Sequence, residues 1–150
     1  MTSIYSYTKV STPYTTIQMA LPDNQGLDDA LRCTELCTLD GVTYVAVPDE
    51  VVLPDQPAEI SASVVTLTDA LRDQIKAASV HVALIAERMV DKIRAKYTPE
   101  DEMYFARISI GALTGQYTFE TGEQAAVTAY GAHVEGVRQW GRTEKAKLGL

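Results

Sequence analysis

The chain has 150 residues, 46% of them hydrophobic and 22% charged, which is enough apolar material for a buried core and argues against wholesale disorder. Its net charge of −7 lies wholly in residues 1–60, where nine acids face only Lys9 and Arg32, while residues 61–150 balance eleven acids with eleven bases. An acidic surface repels nucleic-acid phosphates and no apolar run approaches the roughly 20 residues that span a bilayer, so neither nucleic acid nor membrane is expected as a partner.

Residues 3–19, SIYSYTKVSTPYTTIQM, are rich in Tyr, Thr and β-branched types and are interrupted by Pro13. That composition predicts extended structure, and the proline demotes it to an edge strand or an arm. The segment Leu21-Pro22-Asp23-Asn24-Gln25-Gly26 then reads as a turn or loop. In ALRCTELCTLDGVTYVAV, residues 30–47, Asp40-Gly41 separates two runs of strand composition and predicts a hairpin. Its first strand shows no clean alternation, which leaves a short helix over residues 27–37 as an alternative. Pro48, Pro54 and Pro57 then predict an extended linker, and the charge balance changes near the same place. The expected division is therefore an acidic, β-rich part over residues 1–60 and a helical domain over residues 61–150.

The helical part opens with TLTDALRDQIKAASVHVALIAERMVDKIRAKYT, residues 66–98. Leu71, Ile75, Ala78, Val82, Ile85 and Met89 recur at spacings of 4, 3, 4, 3 and 4, which predicts one long helix with a single apolar stripe, capped by Thr66 or Thr68. Thr98-Pro99-Glu100-Asp101 supplies a restart for a second helix, whose stripe reads Met103, Ala106, Ile110 and Leu113, with Tyr104 and Phe105 widening the apolar face, and which should stop near Gly115. Thr121 and Gln124 suggest a third opening, with the stripe Val127, Tyr130, Val134 and Val137, ending at Lys145 and Lys147 before Gly149. The fold class is thus α+β: an N-terminal β arm or hairpin followed by a C-terminal three-helix bundle with a long first helix. Alternatively, Leu71, Ile75, Val82, Ile85 and Met89 form a seam between copies of the chain, since their spacing is that of a coiled coil.

Candidate chemistry is sparse. Cys33 and Cys37 would have to combine with His81 and His133 at spacings that match no zinc module, so no metal or other cofactor is expected. No serine lies in a nucleophile-elbow pattern, and the glycines form no phosphate-binding loop. Arg88, Lys92, Arg94 and Lys96 are interspersed with Glu87 and Asp91, as on a solvated helix face, and Glu100-Asp101-Glu102 suits a helix N-terminus. No catalytic set emerges and the chain is not expected to be an enzyme. Partner contacts are expected instead at the aromatic and apolar residues of the arm, Tyr5, Tyr7, Tyr14 and Ile17, and at the lone Trp140.

Four stretches carry a resemblance: Leu-Pro-x-Gln-Pro at 53–57, VTLTDALRDQIKAAS at 65–79, IAERMVDKIRAKYTPEDEM at 85–103 and VRQWGRTEKAKLGL at 137–150. Over about residues 40–150 the chain resembles small proteins encoded among the tail genes of tailed bacteriophages, loosely grouped with tail-fibre assembly proteins. The pattern departs at residues 108–124, ISIGALTGQYTFETGEQ, which is longer than the link expected there. The resemblance implies a structural or assembly role, either as a chaperone of a tail fibre or as a small virion component, and hence a tail or tail-fibre protein as partner. It places the chain in the host bacterial cytoplasm during assembly or in the virion tail, and the N-terminus, which lacks an apolar signal core, agrees with a cytoplasmic origin. An alternative function is that of a phage-encoded acidic binding protein that inhibits a host enzyme.

Overall fold

The computed structural model describes residues 1–24, 28 and 31–150. The expected turn at Gln25-Gly26 and the start of the alternative helix over residues 27–37 lie outside the described residues. The elements are β1 (Thr2–Thr8), β2 (Val10–Ser11), β3 (Thr16–Ile17), β4 (Thr34–Leu39), β5 (Val42–Pro48), β6 (Ser63–Val64), α1 (Asp69–Ala78), α2 (Val80–Arg94), α3 (Pro99–Leu113) and α4 (Glu123–Lys147). The class is α+β, with an antiparallel sheet in the N-terminal part and four helices among the described residues.

Two compact units divide the chain. One comprises residues 1–84 and 144–150, the other residues 85–143. The division falls inside α2 and α4 rather than at residue 60, because α1 and the last residues of the chain pack on the sheet.

In the first unit the strand order is β4-β5-β1-β6, all neighbours antiparallel. Asp40 and Gly41 both adopt positive φ, 48° and 81°, as the tight hairpin between β4 and β5 requires. Residues 2–8 are not an arm: β1 lies inside the sheet, pairing along its length with β5, Tyr5 opposite Val45 and Tyr7 opposite Thr43. Pro13 does not interrupt β1, since it follows in the short β2–β3 hairpin.

Both faces of the sheet are covered. Tyr7, Met19, Cys33, Val45, Val47 and Ile60 form one cluster, joined by Tyr5, Val10, Ile17, Leu21, Val51 and Leu53. The proline-punctuated segment is thus a cover for this face rather than a linker. Gln56 fastens it: its side-chain amide accepts from the Ala20 N–H at 2.9 Å and donates to the Ala20 carbonyl at 3.0 Å, as a strand residue would. On the other face Ile4, Leu36, Ala46 and Ile75 pack with Leu67, Leu71, Leu148 and Leu150. A register shift between Glu35 and Cys37 turns Leu36 into that cluster, which explains why the sequence of β4 shows no clean alternation.

The long first helix does not form. Thr68 caps α1, accepting from the Leu71 N–H at 3.2 Å, but Ser79 is extended at φ −77° and ψ 120° and ends the helix after one more hydrogen bond, from its N–H to the Ile75 carbonyl. Its own carbonyl accepts from the Ala83 N–H, so one residue closes α1 and opens α2. The stripe is thereby divided. Leu71 and Ile75 pack on the sheet, whereas Ile85 is buried in the second unit, where Met89 lies against Gly141. The expected seam is largely consumed inside the chain, and the longest helix is α4, with 25 residues.

The second unit contains the C-terminal part of α2, α3 and most of α4. Thr98 and Asp101 form the reciprocal capping box at the start of α3, with Pro99 in its first turn. Val137 and Gly141 of α4 and Ile108 of α3 are buried with Ile85. Tyr97, Phe105, Tyr130 and His133 stack around one another, with Tyr97 5.1 Å from Tyr130 and 5.5 Å from His133 between ring centroids. Of the expected apolar face of α3 only Phe105, at its widened edge, packs into the unit, together with Ile108, whereas Met103, Ile110 and Leu113 are 75%, 62% and 87% exposed.

Candidate functional site: an aromatic and basic groove

The expected contact residues separate. Tyr7 is buried and Tyr5 and Ile17 are half-buried against the same cluster, which removes Tyr7 from any surface of the folded chain. Tyr14, at the tip of the β2–β3 hairpin, is 97% exposed. It stands at a turn held by the Thr12 hydroxyl, which donates to the Thr15 carbonyl and accepts from the Thr15 N–H. Trp140 lies elsewhere, half-buried on α4 of the second unit.

Around Trp140 the surface forms a groove of about 550 Å³, lined by Lys92, Ala95, Ala132, His133, Gly136 and Val137. Ala132 and Gly136, one helical turn apart, lower this face of α4, and no neighbouring group lies within 4 Å of where a Cβ on Gly136 would stand. The larger side chains are fixed. Lys92 holds its ammonium 4.7 Å from the centre of the Trp140 ring, and the Lys92 carbonyl accepts from His133 Nε2–H at 3.1 Å. Lys92 therefore meets the aromatic ring rather than Glu87 or Asp91, and Lys96 similarly lies 5.3 Å from the centre of the Tyr97 ring. A low floor with an aromatic wall and a cation beside it suits an apolar or aromatic partner side chain flanked by an acid.

A second polar cluster joins the end of α3 to the start of α4. The Glu123 carboxylate accepts from the Tyr104 hydroxyl, from the Tyr117 hydroxyl at 2.8 and 2.9 Å and from the Glu120 N–H at 2.7 Å. The bond from Tyr104, then that from Glu120, holds the Glu123 carboxyl below its usual range, and the same carboxylate pushes both tyrosines up. Proton transfer at neutral pH needs the opposite shifts, a base raised or an acid lowered towards 7. The arrangement instead fixes a loop and tightens the opening of α4, where sequence alone suggested Thr121 and Gln124.

The cysteines and histidines do not converge. Cys33 and Cys37 belong to opposite faces of the sheet, and burial raises both thiols, which makes them poor nucleophiles. Among the described residues no group of three His, Cys, Asp or Glu side chains is placed to hold a metal ion, and no helix is long and apolar enough to cross a membrane. No family model, curated protein or solved structure matches this chain.

Proposed function

We propose that the protein is a non-enzymatic bacteriophage tail-region protein, a tail-fibre chaperone or small virion component, that works by protein–protein contact. The observation that carries the contact reading is the open groove at Trp140, where a lone tryptophan, a cation and small residues meet on an exposed helical face. The tail assignment is supported by the likeness of residues 40–150 to proteins encoded among phage tail genes. The route through a free N-terminal arm is replaced, since β1 is an inner strand and cannot be lent to a partner's sheet without dismantling its own.

Co-expression with phage tail and tail-fibre proteins, followed by affinity capture and calorimetry, tests the reading. A tail or tail-fibre protein should bind, and Trp140→Ala should weaken that binding by about tenfold or more while leaving helical content unchanged. Capture of a host enzyme in place of every tail protein, or binding indifferent to Trp140, would overturn it.

A further inference from the structure

The outward stripe of α3 has the register of a second interface. Met103, Ala106, Ile110 and Leu113 are spaced 3, 4 and 3, all exposed, on the side of the helix opposite Ile108. That spacing assigns Met103 and Ile110 to the first apolar position of a heptad and Ala106 and Leu113 to the second. A β-branched residue at the first position with leucine at the second favours two parallel strands.

Charge selects the same arrangement. Glu102 and Arg107 flank the stripe on opposite sides, five residues apart, and among the described residues neither forms an ion pair within the chain. In a parallel pair this is the spacing at which a side chain flanking one helix reaches its opposite on the other, so two symmetric Glu102–Arg107 pairs would form. An antiparallel pair would set Arg107 against its own copy. Three exposed side chains at on the order of 100 Å² each give roughly 600 Å² of apolar contact over two copies. With Ala106, the flanking charges and the helix backbone added, the contact approaches the roughly 1,000 Å² that a biological interface needs, in the range of weak, concentration-dependent association. Because α3 is already held to α4 through Phe105–Tyr130 and Tyr104–Glu123, its ordering is complete before association, which lets two heptads suffice where an isolated peptide would need more.

We infer that the occupant of this face is a second copy of the chain, docked through parallel α3 helices. The homo-oligomer seam thus moves from Leu71–Met89, consumed in folding, to Met103–Leu113. The groove at Trp140 has no part in this interface, so the two can fail separately.

Sedimentation equilibrium of the full chain across a concentration series should show a monomer–dimer equilibrium. Ile110→Glu should raise the dissociation constant at least about tenfold with an unchanged circular dichroism spectrum. Glu102→Arg should weaken association, and the double variant Glu102→Arg with Arg107→Glu should restore it. Orientation is read with Ala106→Cys: in the parallel pair residue 106 meets its own copy within disulfide reach, and mild oxidation should link the dimer, while the parent chain with Cys33 and Cys37 remains unlinked. A monomer at every concentration, a dimer insensitive to Ile110→Glu, or a dimer that Ala106→Cys does not link would each overturn the inference.

Discussion

Gly111 and Gly131 are both helical glycines, yet a methyl group has opposite meanings at the two. At Gly111 a Cβ would stand 2.7 Å from the Cβ of Tyr117, an atom tied closely to the backbone, so neither side can yield. Gly111→Ala should therefore cost about 1–3 kcal/mol in urea denaturation. At Gly131 nothing lies within 4 Å, and the alanine should gain about 0.5–1 kcal/mol from helix propensity. Glu123 supplies a pH test. Its carboxyl is held low in the folded chain, so its contribution is present above the ordinary carboxylate value and is lost as pH falls through the lowered one. The difference in denaturation midpoint between the parent and Glu123→Gln should hence narrow on acidification. A gap that stays constant from neutral pH to pH 3 would contradict this origin. The roles of Gly111 and Glu123 are not visible in the sequence, because each depends on a partner brought close by the fold.

The starts of α1 and α3, by contrast, are readable residue by residue. Thr68 and Thr98-Pro99 lie where the local chemistry places them, since a cap is satisfied within its own first turn, whereas α4 opens at Glu123, held by Tyr104 and Tyr117 rather than by the expected pair Thr121 and Gln124. The Asp40-Gly41 hairpin was legible for the same reason. The break at Ser79 was not. The apolar period passes through it without interruption, and only the sheet beneath Ile75 and Leu71 decides that the chain must turn there. The two apolar stripes of α3 are nearly equal in sequence, and burial alone distinguishes the one that turns inward. The division of the first stripe has a measurable outcome. Ile75→Ala, at a fully buried site facing Ile4, Leu36 and Ala46, should lose about 2–5 kcal/mol, while Val80→Ala, just past the break and 67% exposed, should stay within about 0.5 kcal/mol.

At the scale of the molecule, the central position of β1 and the sheet contacts of Leu148 and Leu150 join distant parts of the chain, which no local pattern announces. Thr2 Oγ1 also donates to the Lys147 carbonyl at 3.0 Å. Removing residues 148–150 should destabilise the first unit by about 2–4 kcal/mol, the worth of two partly buried leucines. Trp140 is the only tryptophan and belongs to the second unit, so its fluorescence follows that unit alone. In the truncated chain the Trp140 transition should stay near that of the parent while unfolding of the sheet moves to lower urea. Equal shifts in both signals would show that the two units unfold as one.

The return of Leu148 and Leu150 to the sheet also sets an order in time. During synthesis residues 85–143 emerge before those leucines exist. Ile4 and Ala46, made early, gain Ile75 and Leu71 as cover midway, but Leu148 and Leu150 join them only after residues 85–143 have been made. The acidic half of the protein is therefore made first and finished last, and it is the part that a nascent-chain chaperone would meet with apolar surface still open.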